Sequence, residues 1–182
     1  MVLMILGIGI VALIVISIFM YNRLVSLQAL VKEAWSGIDV QLKRRYDLIP
    51  NLIATVKQYG LHEKEILEKI ATMRASSMQA STVQAKSEAE TGLTQTLRTL
   101  FAVVENYPQL KANENFMALQ KSLAELEQDI QLARRYYNGA TRNYNIAVTV
   151  FPSNLVAGVT GFQKEAYFEI PTTERETPRV SF

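Results

Sequence analysis

Apolar positions in the second half of the chain keep one rhythm over a long run. Stepping alternately by three and four from Phe116 reaches Leu119, Leu123, Leu126, Ile130, Ala133, Tyr137, Ala140, Tyr144, Ala147 and Phe151, each apolar or aromatic. That spacing predicts an amphipathic helix about 55 Å long with a continuous seam toward a core. Lys121, Glu125, Glu127, Asp129, Arg134, Arg135 and Arg142 fall on its outer face. Gly139 lies off the seam and costs about 1 kcal/mol relative to alanine, which packing along such a helix can absorb. Pro152 ends it, because a residue preceding proline is pushed out of helical geometry.

The same rhythm runs through Leu24, Leu27, Val31, Ala34, Ile38 and Leu42, with Trp35 beside the seam. Pro50 interrupts it, yet Ile49, Leu52, Ile53, Val56 and Tyr59 keep the apolar phase. Two outcomes stand open: a kinked helix running to about Tyr59, favoured by the retained phase, or a turn whose new helix admits Pro50 in its first turn. Gly60 is a stop signal, and "LHEKE" opens a helix with Ile66, Ile70 and Met73 on its inner face. Residues 76–92 are rich in Ser, Ala, Gln and Thr, so the bundle must loosen, bend or turn there. Leu93, Leu97, Leu100 and Val104 then resume an apolar face in a different phase. The expected fold is all-α: an antiparallel up-and-down bundle of three to four long helices.

Residues 1–20, "MVLMILGIGIVALIVISIFM", carry no charge and one hydroxyl, Ser17. At 1.5 Å per residue they reach roughly 30 Å, the thickness of a bilayer's hydrocarbon core. No basic start and no small-residue cleavage site accompany them, which favours a retained anchor over a removed signal. Tyr21 and Arg23 stand where an interfacial aromatic and a snorkelling cation belong. Arg23 and Lys32 on the far side of the span place the remainder in the cytoplasm, with the N-terminus out. Three parts follow: an anchor over 1–20, a helical bundle over 21–152, and a short packed turn with a loose tail over 153–182.

Charge changes this picture little. The 19 basic and 17 acidic residues give a formal charge of +2 and are spread along the chain, so no basic stripe argues for nucleic acid. Lys43, Arg44 and Arg45 form one cluster, with Asp39 and Asp47 as helical i,i+4 partners of Lys43. A solvated, self-paired helix face explains the cluster, and a phosphate- or partner-binding surface is its functional alternative.

Reactive constellations are missing from the pattern. The chain has no cysteine, which removes disulfides and thiolate chemistry. No serine sits in a GxSxG or SxxK setting. His62, beside Glu63 and Glu65, reads as a helix-start residue, since adjacent helical positions do not converge on one metal. Glu-x-x-His, the di-iron signature of bundles, does not occur. No cofactor, metal or enzymatic activity is expected. The corner "ENYPQLKANENF", residues 105–116, concentrates Asn106, Tyr107, Pro108, Lys111 and Asn113. It reads as two helix ends: Glu105 and Asn106 close one helix, Pro108 turns the chain, and Asn113 or Asn106 caps the next, with Glu114 complementing its positive end.

Taken together, "AWSGIDVQLKRRYDLIPNLI" (34–53), "ENYPQLKANENF", "LQKSLAELEQDIQLARRYYNGATRNYN" (119–145) and "FPSNLVAGVTGF" (151–162) closely resemble the LemA family of bacterial membrane proteins. The resemblance implies a single N-terminal span in the inner membrane, a mostly helical cytoplasmic domain, and no established reaction. Related members act in magnetosome membrane biogenesis, which points to membrane organisation through other membrane proteins or self-association. Two other readings stay open: an envelope protein facing the periplasm, or a ligand-binding or hydrolytic domain at the corner with Arg44 and Arg45.

Overall fold

A computed structural model describes residues 1–59 and 63–168. His62 and Gly60, as well as the expected tail beyond residue 168, lie outside the described residues. The described chain is helical throughout its regular structure, with no strand among the described residues. The helices are α1 (Val2–Gln58), α2 (Lys64–Gln79), α3 (Val83–Val104), α4 (Pro108–Lys111), α5 (Glu114–Thr149) and α6 (Ser153–Thr160). One long apolar N-terminal helix thus continues into a helical bundle.

α1 passes through Pro50 without a break. Proline removes the N–H that would close the helical bond to the carbonyl four residues back, at Tyr46. That carbonyl has another partner: Arg74 of α2 donates to it from Nε at 2.8 Å. Ile49, Leu52 and Val56 stay buried on either side of the proline. The stripe that continues across Pro50 and the arginine that satisfies the freed carbonyl together explain why α1 is not ended there.

The chain divides into two compact units. One comprises Met1–Gly37 with Ala133–Tyr167; the other comprises Ile38–Leu132, of which residues 60–62 lie outside the described residues, and Phe168. In the first, Leu24, Val31 and Ala34 of α1 and Tyr137, Ala140, Tyr144 and Ala147 of α5 are buried. Trp35 meets Tyr137 edge-on, with ring centroids 5.4 Å apart. Phe151, the last position of the α5 seam, is exposed, because the helix stops at Thr149 before Pro152. Instead of the short turn expected after Pro152, residues 153–160 form α6. It closes on Gly161, whose φ of 82° suits glycine, and Ala157 packs with Leu24 and Ala147.

In the second unit, Ile38, Leu42, Ile49, Leu52 and Val56 of α1 join Leu67, Ile70, Leu93, Leu97, Leu100, Leu110, Phe116, Leu123, Leu126 and Ile130 in the core. α2 packs on α3. The Ser-rich run is two helix ends around a short turn, with Thr82 capping α3 by accepting from the amide of Ala85 at 3.2 Å. Its small side chains have a packing role: Ser77 and Ser87 are buried, and a Cβ on Gly92 would stand 3.0 Å from the Met73 sulfur.

Candidate functional site

Arg45 and Tyr46 occupy the buried stripe of α1 between Leu42 and Ile49, at positions three and four residues from each. Among the described residues, Arg45 and Glu90 are the charged side chains that are buried, with residue exposures of 3% and 0%. Glu90 holds the equivalent place on α3, three residues before Leu93 on its inner face. On α5, Glu127 is partly buried beside Leu126 and reaches back to α1.

These side chains form one connected set. Arg45 Nη1 stands 3.0 Å from Glu127 Oε2 and 3.5 Å from Glu90 Oε2. Its Nη2 donates to the Thr94 hydroxyl at 2.9 Å. The Tyr46 phenol donates to the other oxygen of Glu90. Burial first, and then the charge of Glu90 and the hydrogen bond to it, push the Tyr46 phenol above its ordinary range; Ser77 and Arg45 act the other way. Lys86 and Asp39 join α3 to α1 a little farther along, at 2.7 Å.

Chemically, the set is closed. Both terminal nitrogens of the guanidinium are engaged, by two carboxylates and a hydroxyl, and neither Arg45 nor Glu90 opens to solvent. Such a network holds one register among α1, α3 and α5, because sliding any helix would strand a buried charge. No group of three or more metal-ligating side chains converges among the described residues.

The sequence placed Lys43, Arg44 and Arg45 on one surface, and the structure separates them. Lys43 and Arg44 are exposed, whereas Arg45 points inward. Asp39 pairs with Lys86 rather than Lys43, and Glu127 leaves the polar face to meet Arg45. Arg44 finds its nearest partner on its own helix, donating to Gln41 Oε1 at 2.9 Å, and lies 3.8 Å from Asp129. It lines a groove of about 360 Å³ with Asp47, Ser122, Glu125 and Asp129. Three carboxylates around one arginine make this surface acidic, which disfavours a phosphate ligand.

The corner residues serve the helix ends. Asn113 Oδ1 accepts the amide of Phe116 at 2.9 Å, capping α5, while its Nδ2 donates to the Tyr59 hydroxyl at 2.7 Å. Glu114 lies in the first turn of α5. Pro108 is at the start of α4, after Tyr107. Lys111 pairs with Glu105, Asn106 donates its amide to Val103, and Phe116 meets Phe101 edge-on.

The LemA family profile matches residues 34–182. This chain belongs to the LemA family. Magnetosome protein MamQ 2 of Paramagnetospirillum magneticum is 26% identical over 187 residues, covering 88% of this chain and 69% of that protein. Magnetosome protein MamQ of Magnetospirillum gryphiswaldense is 25% identical over 186 residues, covering 88% and 68%. Protein LemA of Metamycoplasma hominis is 26% identical over 159 residues, covering 85% and 71%.

In this LemA-family chain, the buried Arg45–Glu90–Tyr46 set escaped the reading of the sequence although its signal was there. Arg45, Tyr46 and Glu90 each fall in phase with the apolar stripe of their helix. A charged residue in phase on one helix and an opposite charge in phase on another mark a candidate buried pair. What the periodicity lacked was the pairing of helices that brings residue 45 beside residue 90.

Proposed function

We propose that the chain is a non-enzymatic, membrane-anchored helical-bundle protein that acts through protein partners or self-association at the bacterial inner membrane. The observation that carries this reading is α1: its first part is long and apolar enough to cross a membrane, and the same helix supplies core residues from Leu24 to Val56. An anchor that continues directly into a bundle helix suits a protein that works at the membrane. The names of the MamQ relatives, which are magnetosome proteins, support a role in membrane organisation. Lys43, Arg44 and the acidic groove beside Arg44 are the proposed partner surface, and Arg45 acts from beneath by holding α1 in place.

Native mass spectrometry and cross-linking from mild detergent test the reading. Oligomers or a reproducible co-purifying partner are expected; a lone monomer under all conditions overturns it. For orientation, Ser181→Cys in the cysteine-free chain is treated with a membrane-impermeant reagent on intact spheroplasts. The cytoplasmic placement expects labelling only after lysis, and labelling of intact spheroplasts moves the domain to the periplasm.

A further inference from the structure

The chain contains a second long charge-free run. Between Arg142 and Lys164, residues 143–163 read "NYNIAVTVFPSNLVAGVTGFQ". The run holds the end of α5, the turn at Phe151 and Pro152, and α6. Three of its large apolar side chains face well outward: Phe151 is 78% exposed, Leu155 61% and Val159 90%. In water such a surface is costly, and a run of this kind beside an apolar helix is what lipid contact requires.

Three observations bear on the occupant. First, Leu155, Val156, Val159 and Thr160 form one wall of an open groove of about 540 Å³ whose other wall is Leu13, Ile14, Ser17, Ile18 and Tyr21 of α1. Leu13 precedes Arg23 by ten residues, or about 15 Å of helix, so α6 is level with the half of the apolar segment nearer Arg23. Second, hydroxyls in this region are turned onto backbone carbonyls. Ser153 donates to Ala147 at 2.6 Å and Val150 at 3.0 Å, Thr160 to Val156 at 2.6 Å, Thr149 to Asn145 at 2.8 Å and Ser17 to Leu13 at 2.8 Å. Ser36, Thr55 and Thr72 make the same bond on exposed faces of the bundle, so the arrangement permits contact with lipid, leaving no hydroxyl hydrogen unbonded there, rather than marking it. Third, Arg23, Arg142 and Lys164 bound the two charge-free runs and are exposed, as cations at the headgroup level would be. Asn154, the one side-chain amide on α6, leaves the helix on a different side from Leu155 and Val159, which fits a helix lying shallow in the interface.

We infer that Phe151 and α6 form a second lipid-contacting element, inserted beside α1 in the leaflet nearer Arg23, with acyl chains filling the groove between them. The inference rests on the reading of residues 1–20 as a membrane span. The absence of cysteine from the chain allows a direct test in the full protein, reconstituted in phosphatidylcholine–phosphatidylglycerol vesicles. Single variants Val159→Cys, Leu6→Cys and Gln128→Cys each carry an environment-sensitive fluorophore, and quenching by lipids with a nitroxide on the acyl chain is measured. The expected result is strong quenching at Val159 and Leu6, with little at Gln128. Quenching at Leu6 but not at Val159 overturns the inference and leaves the span standing. Quenching at neither position removes both. A Val159 probe that is shielded from water yet unquenched by lipid means that protein covers the groove, and this also overturns the inference.

Discussion

Arg45→Met in the full chain takes away the guanidinium that Glu90 and Glu127 share, and leaves an unbranched apolar side chain in place of the arginine stem. Glu127 is 23% exposed at its side chain and can turn to water, whereas Glu90 at 0% cannot. Removing one partner of a buried ion pair costs about 3–5 kcal/mol, because the other charge is left desolvated. Tyr46 still donates to Glu90, which holds the loss toward the lower end, while the lost bond to Thr94 adds about 1 kcal/mol. A destabilisation of about 3–4 kcal/mol is therefore expected. Arg44→Met, one residue away, serves as the control: its contact to Asp129 is long at 3.8 Å and exposed on both sides, and such pairs contribute roughly 0–1 kcal/mol. Chemical denaturation in mild detergent, followed by circular dichroism, compares the two. Replacing the set together, as Arg45→Met with Glu90→Leu and Tyr46→Phe, should recover most of the loss, since no buried charge is then stranded. If Arg45→Met falls within about 1 kcal/mol of Arg44→Met, the cluster is not desolvated as described and the reasoning fails.

Further outcomes follow from other contacts. Tyr46 has a folded-state pKa raised by burial and by Glu90, so above about pH 10 the unfolded chain releases a proton that the folded chain keeps. Its contribution is complete below pH 10 and declines as pH rises, and denaturation from pH 9 to 11.5 should show a shallower decline in Tyr46→Phe than in the parent. An equal slope in both would contradict the assignment. Arg74→Met should cost about 1–3 kcal/mol by stranding the Tyr46 carbonyl. In a Pro50→Ala background that penalty should shrink, because the alanine N–H can bond the same carbonyl; a double-mutant cycle with no coupling argues against it. Asn113→Ala should lower stability by about 0.5–2 kcal/mol, read from the denaturation midpoint. Asn113→Asp keeps the cap acceptor and should lose less; an alanine variant equal to the parent would show that the cap contributes nothing.

Much of this architecture is written in local periodicity, for a physical reason. A helix buries whichever stripe is apolar, and the stripes from Leu24 to Val56 and from Phe116 to Ala147 are long enough that no other period fits. The charge-free first segment and the cap at Asn113 are equally local, since each depends on residues adjacent in the chain. Helix α6 was not legible because eight residues with two glycines nearby carry too few turns for a period to show, and its apolar face is turned outward. What only the tertiary structure decided is which distant residues meet: Arg45 with Glu90 and Glu127, Arg74 with the carbonyl freed by Pro50, and α6 with the apolar part of α1. A sequence records that a residue lies in phase with its own helix. The partner across the interface is chosen by how separate helices pack, and that choice turns a run of three basic residues into two surface cations and one buried clamp.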